Sequence, residues 1–281
     1  MAHSVRNTLS QSCPRAVLFA PSDKIALATK ALGTNADAVC LDLEDGVAKA
    51  QKQDARAALA DLLDIASQND KPVFVRVNDV SSPECAADLG VVPPHIPIVL
   101  PKTKGRDDIE LAARGRQSGV IAMIEDLAAL GHLLNDQGAC PDGLIGLALG
   151  SEDFCADLGV APNETLLTHA LYDLVKRGAM WGIPVLGMPS SIADYSDIAA
   201  FTKAAMAAAH VGAKGAFCIH PAQIAALRDG FSPSPEMQEW AAGVIAQASQ
   251  IETGGTARHP VTGQMLDAPV LEQARALLRI E

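Results

Sequence analysis

The feature that most restricts the fold of this chain is a recurrence. Eight short apolar runs punctuate residues 16–221: "AVLFAP" (16–21), "AVCLDL" (38–43), "PVFVRV" (72–77), "IPIVLPK" (96–102), "GVIAMIE" (119–125), "GLIGLALG" (143–150), "IPVLGMP" (183–189) and "GAFCIHP" (215–221). Most are rich in Val, Ile and Leu without strict alternation, the pattern of parallel strands covered on both faces. Between them lie segments with helical spacing, such as "AKAQKQDARAALADLLDIAS" and "NETLLTHALYDLVKRGAMWG", and several of these end at glycine, a common C-cap. Eight strand–helix units in sequence predict an α/β fold, a (β/α)8 TIM barrel. An open doubly wound sheet is the rival, and it would usually carry a Gly-rich phosphate loop after an early strand. No G-x-G-x-x-G or G-x-x-x-x-G-K-[ST] occurs.

The barrel is expected over residues 1–230. Residues 231–281 exceed what a barrel needs and are expected to form a C-terminal helical extension or lid packed on a neighbouring subunit. Within it, "ETGGTARHPVTGQ" is Gly-rich and expected to be flexible, and "MLDAPVLEQARALLRI" reads as a final helix with an acid at its entrance.

A net charge of −11 argues against nucleic acid or an anionic membrane as a partner, since both need a basic surface. It leaves room for a small anionic ligand held by a local cation or metal. The six cysteines are widely spaced, with no C-x-x-C pair, and are expected to be reduced. The first residues carry no long apolar stretch of the secretory type, and no apolar run approaches the length of a membrane span. A soluble cytoplasmic protein is the expectation.

In a barrel of this kind the C-terminal strand ends share one mouth, where functional groups collect. Reading off those ends gives Glu44 and Asp45 after the second run, Arg76 on the third, Lys102 on the fourth, Glu125 on the fifth, Glu152 and Asp153 after the sixth, and His220 after the eighth. Five carboxylates converging there would repel one another without a counter-charge. A hard divalent cation, Mg²⁺ or Mn²⁺, suits carboxylate oxygen, and Glu125 and Asp153 are the best ligand pair. Glu44 and Asp45 are expected to hold metal-bound waters or orient neighbours, and Lys102 and Ser151 are candidate substrate contacts. Each residue alone has a plainer reading. "LEDG" and "SED" could be acid-rich helix entries. Arg76, inside a β-branched strand, must find a partner and could do so in a structural ion pair. His220 could be a structural histidine.

The ordered set "AVLFAPSD", "ADAVCLDLEDGVA…K…AR", "VRVND", "VLPKT", "IAMIED", "LALGSEDFCADLG", "IHPAQI" and "MLDAPV" resembles the citrate lyase β-subunit and malyl-CoA lyase branch of the HpcH/HpaI aldolase family, from about residue 14 to residue 279. The resemblance implies a homo-oligomeric barrel, trimeric or hexameric, catalysing Mg²⁺-dependent aldol- or Claisen-type cleavage or formation of a carbon–carbon bond. The reactants it implies are a 3-hydroxyacyl-CoA, such as malyl-CoA or citramalyl-CoA, an oxo-acid and an acyl-CoA. It implies Glu125 and Asp153 as metal ligands, Arg76 as the oxo-acid contact, Glu44 and Asp45 as the acidic pair near the metal, and Asp267, from a neighbouring subunit, as acid or base. Three stretches depart from the family pattern. The first strand ends "APSDK" in place of "VPG" with a nearby arginine, "LGMPSSIAD" lacks the family's Asp-Gly pair, and "THALYDLVKRGAMWG" replaces a segment where an arginine and a serine are common. All three bear on CoA recognition, so a CoA-independent 2-oxo-acid aldolase, or a β-subunit-like component needing a carrier-protein partner, stand as alternatives.

Overall fold

The computed structural model describes residues 9, 13–252 and 256–278. Eight parallel strands, β1 (Ala16–Pro21), β2 (Ala38–Asp42), β3 (Val73–Arg76), β4 (Ile98–Leu100), β5 (Val120–Ile124), β6 (Leu144–Leu149), β7 (Val185–Leu186) and β8 (Ala216–Cys218), pair in the order β7-β6-β5-β4-β3-β2-β1-β8. The ring closes between β7 and β8. There Leu186 bridges Gly215 in parallel, the Lys214 N–H donates to the Val185 carbonyl at 2.9 Å, and the Gly187 N–H donates to the Gly215 carbonyl at 2.8 Å. The expected (β/α)8 barrel is therefore present.

The connecting helices are α1 (Ile25–Leu32), α2 (Lys52–Gln68), α3 (Pro83–Val91), α4 (Arg106–Ala113), α5 (Leu127–Asn135), α6 (Ser151–Asp157), α7 (Glu164–Trp181), α8 (Ile198–Val211) and α9 (Ala222–Gly230). Local chemistry sets their starts. Ser82, Asp126, Asn163 and Asp197 each accept a backbone N–H from the first helical turn, as N-caps do. The left-handed Gly182 and Gly212 end α7 and α8.

The strands bury both faces, but they do so in two separate cores. Ala38, Cys40, Phe74, Val99, Ile121, Met123 and Phe217 point into the barrel, while Val39, Leu41, Val75, Val120, Ala122 and Ile124 face the helices. The period-2 alternation of a strand continues each inward row to its C-terminal end. In β2 the row 38, 40 arrives at Asp42, in β3 Phe74 is followed by Arg76, and in β5 the row 121, 123 arrives at Glu125. Backbone geometry thus aims these polar groups at the mouth.

Ser232–Glu281 form a separate compact unit. Helices α10 (Pro235–Ile245), α11 (Ala248–Glu252) and α12 (Ala268–Leu278) enclose Ala241, Val244, Ile251, Leu266, Leu271 and Ala274. The stretch expected to be flexible contains a short hairpin where it is described. β9 (Ala257–Arg258) pairs antiparallel with β10 (Met265–Leu266). The buried His259 holds the intervening turn by accepting the Val261 and Thr262 N–H groups at 3.2 Å each. Residues 253–255 of that stretch lie outside the described residues. The last helix begins at Ala268, and the acid expected at its entrance is Asp267, which accepts the Val270 N–H at 3.3 Å. Cys40, Cys85, Cys155 and Cys218 are buried thiols outside any disulfide. Among the described residues no helix is long and apolar enough to cross a membrane.

Candidate active site

The mouth of the barrel opens into a cavity of about 160 Å³. Its apolar lining comes from Phe19, Met123, Leu149, Met188, Ile192 and Phe217, and its polar lining from Asp45, Arg76, Glu125, Ser151, Glu152 and Asp153. Phe19 and Phe217 stack with ring centroids 4.8 Å apart, and the Arg76 guanidinium lies 4.6 Å from the Phe19 centroid.

The acidic stretch after β2 is built around Asp42. Its carboxylate accepts the Glu44 and Gly46 N–H groups at 2.9 Å each and folds the chain into a tight turn. A Cβ on residue 46 would stand 2.4 Å from Asp42 Oδ2, so glycine is required by the carboxylate that organises the turn. The same carboxylate receives Arg76 as a fork, Nε to Oδ1 at 2.7 Å and Nη2 to Oδ2 at 2.6 Å. Arg76 Nη1 reaches Glu44 Oε2 at 3.0 Å, and Lys102 Nζ reaches Glu44 Oε1 at 2.6 Å. Burial opposes charge on Arg76, but Asp42, and then Glu44, outweigh it and hold the guanidinium firmly protonated. The plainer reading of Arg76, an ion pair, is therefore part of its environment. Burial pushes the Glu44 carboxyl up, against the pull of Arg76 and Lys102.

Lys52 holds this layer from below. Its ammonium donates to the Leu43 and Glu44 carbonyls at 2.7 Å each and to Asn78 Oδ1 at 2.9 Å. Asn78 donates in turn to the buried Asp88, which also receives Arg56 at 3.0 Å.

Glu125 is the most perturbed acid facing the cavity. It is only 6% exposed, and burial first, then the charges of Asp153 and Glu44, push its pKa up to about 7. Its Oε2 accepts the Lys102 N–H at 2.6 Å, a donor made available by the left-handed backbone of Lys102 (φ 50°). A Cβ at position 150 would lie 2.4 Å from Glu125 Cγ, so Gly150 leaves the space that this carboxylate fills. Asp153, in the first turn of α6, lines the same cavity.

Of the residues expected to converge, Asp45, Arg76, Glu125, Ser151, Glu152 and Asp153 line the cavity. Three others are directed elsewhere. Glu44 is drawn into buried pairs with Arg76 and Lys102, and the Lys102 ammonium is directed to Glu44 and, at 3.5 Å, to Asp45. His220 is exposed and stacks on Tyr195 at 4.4 Å. Asp267 belongs to the C-terminal unit. Sequence reasoning passed over Asp42 as a site residue, although its inward parity next to Arg76 was the available signal. It also passed over the backbone N–H of Lys102, for which a side-chain pattern carries no signal. Among the described residues no group of three or more His, Cys, Asp or Glu side chains is arranged to hold a metal.

The HpcH/HpaI aldolase/citrate lyase family model matches residues 15–221. The citrate lyase subunit beta-like protein of Mycobacterium tuberculosis is 34% identical over 272 residues, covering 93% of each chain. The mitochondrial citramalyl-CoA lyase of Rattus norvegicus is 30% identical over 295 residues, covering 95% of this chain and 85% of the relative. The crystal structure of CitE from M. tuberculosis in complex with magnesium, acetoacetate and coenzyme A superposes with a TM-score of 0.78 at 29% identity, covering 96% of this chain and 98% of that one. With the barrel, the acids at its mouth and the full-length similarity in agreement, the chain belongs to the HpcH/HpaI aldolase/citrate lyase family.

Proposed function

We propose that this protein is a magnesium-dependent carbon–carbon lyase that converts a 3-hydroxyacyl-CoA into a 2-oxo acid and an acyl-CoA, or runs the reverse condensation. The observation that carries this reading is Glu125: a buried carboxylate, raised by desolvation and by Asp153, facing a cavity in a chain whose relatives include CoA-ester lyases. Such a pair of acids fits a hard divalent cation, which commonly takes one or two carboxylates and fills its remaining positions with water and substrate. Glu125 and Asp153 would hold the ion, and Mn²⁺ suits the same oxygens. When bound, it would supply Lewis-acid polarisation of the oxo-acid carbonyl.

The chain's own groups do the rest. Arg76 is preoriented by the Asp42 fork, and its edge on the cavity gives a charge-assisted contact to the oxo-acid carboxylate. The Lys102 N–H keeps Glu125 in place. Asp45, exposed at the rim, orients water next to the site. The apolar lining residues Phe19, Met123 and Phe217 exclude water, which strengthens the charge interactions beside them. Asp267, contributed by a neighbouring copy of the chain, would act as the acid or base, taking the hydroxyl proton as the carbon–carbon bond breaks in cleavage.

The test is a screen of the purified protein with Mg²⁺ against 3-hydroxyacyl-CoA thioesters and the corresponding free hydroxy acids, following 2-oxo-acid release. Release from a CoA thioester by the protein alone is the expected result. Release only from free acids would replace this reading with a CoA-independent aldolase, and release only after addition of a carrier protein would replace it with a dependent subunit.

A further inference from the structure

Ile192 lines the cavity from the loop between β7 and α8. Both polar atoms of its backbone are held by side chains from other elements. Its N–H donates to Glu152 Oε1 at 3.1 Å, and the same oxygen accepts the Ser191 hydroxyl. Its carbonyl accepts from Gln223 Nε2 at 2.9 Å. Gln223 is completely buried, and its Oε1 accepts the Ile219 and His220 N–H groups at 3.0 Å each. One loop residue is thereby tied to the start of α6 and to the β8–α9 turn. Connecting loops are usually the more mobile part of a fold. Phe19 and Met123 get their places in the cavity from the sheet or its immediate continuation, whereas Ile192 gets its place from this clamp.

The charges of the cavity point the same way. Asp45, Glu125, Glu152 and Asp153 line it, and Arg76 is the only cation among the described lining residues. Arg76 is already shared with Asp42 and Glu44. One substrate carboxylate finds a cation there. A second would face acids and apolar surface and lose its hydration without compensation.

Resting on the oxo-acid reading above, we infer that Ile192 is a specificity-determining residue. It receives carbon 3 of the 2-oxo acid and selects a monocarboxylate whose carbon 3 is a methyl group over a dicarboxylate that carries a second carboxylate there. Glu152 and Gln223 are positioning residues that hold Ile192 against that carbon.

Calorimetric titration of the full chain with pyruvate and with oxaloacetate, in Mg²⁺, tests this. The wild type binds pyruvate more tightly, by about tenfold or more, the scale of an uncompensated charge at a binding site. Ile192→Ala weakens pyruvate by about fourfold, the contribution of roughly one buried methyl group, with oxaloacetate unchanged, so the preference narrows by that factor. Gln223→Glu keeps an acceptor for Ile219 and His220 but turns a carboxylate toward the Ile192 carbonyl. It narrows the preference in the same way with Ile192 still present, and because the new carboxylate is buried without a partner it also lowers the thermal midpoint, so the titration is made well below that midpoint. An unchanged preference in Ile192→Ala, or equal affinity for the two acids in the wild type, would overturn the inference and leave the oxo-acid site intact. Absence of binding by either acid to the wild type would instead remove the oxo-acid reading on which it rests.

Discussion

Asp42 receives Arg76 as a two-point fork, 2.7 Å at one oxygen and 2.6 Å at the other, while the same two oxygens hold the turn that carries Glu44 and Gly46. The cation facing the cavity and the acidic loop beside it are therefore one unit. Asp42→Ala should destabilise the protein by about 3 kcal/mol or more, the scale for stranding one partner of a buried pair. Urea denaturation measures it. A loss of less than about 1 kcal/mol would mean that Glu44 alone satisfies the guanidinium.

Gly150 and Glu125 compete for one volume, since a Cβ at 150 would stand 2.6 Å from a carboxylate oxygen. Gly150→Ala should therefore weaken Mg²⁺ binding by about tenfold or more while far-UV circular dichroism remains that of wild type, because metal sites tolerate little displacement of their ligands. Unaltered Mg²⁺ affinity in this variant would show that Glu125 is free to move without consequence.

The raised pKa of Glu125 gives a stability profile with a definite sign. Between its ordinary value of 4.5 and its folded value of about 7, the folded chain keeps a proton that the unfolded chain has released. Stability of the metal-free protein should then fall as pH rises through that window, by up to about 3 kcal/mol, and level off above it. Mg²⁺ added at pH 8 should recover stability, and Glu125→Gln should flatten the slope. Denaturation curves between pH 5 and pH 8, with EDTA and with Mg²⁺, measure all of this. A metal-free protein whose stability rises across the window would contradict the assignment.

Lys102 contributes to the site in two ways that substitution can separate. Its backbone N–H holds Glu125 from a left-handed conformation, and its ammonium holds Glu44. Lys102→Gly keeps the first and relieves the backbone. Mg²⁺ affinity should stay within about threefold of wild type by calorimetry. A loss comparable to that of Glu125→Gln would assign the effect to the side chain.

Much of this was legible in the sequence. Eight non-alternating apolar runs identified the eight strands, although β7 is reduced to two residues because closure of the ring there needs only a short ladder. The acids at the strand ends were legible because parity along a strand dictates which side chains point inward. Less accessible was the way these charges would pair. Glu44 left the cavity for Arg76 and Lys102 because a buried carboxylate is stabilised by two cations more than by water at a narrow mouth. The turn around His259 was hidden as well, since a Gly-rich stretch gives no sign that one imidazole will accept two backbone N–H groups.

The central claim is that Glu125 and Asp153 share one divalent ion at the barrel mouth. Crystals grown with Mn²⁺ and measured for anomalous scattering test it most directly. A single strong peak within coordination distance of both carboxylates is the predicted result. A peak elsewhere, or none at that position with Mn²⁺ saturating in solution, would contradict it.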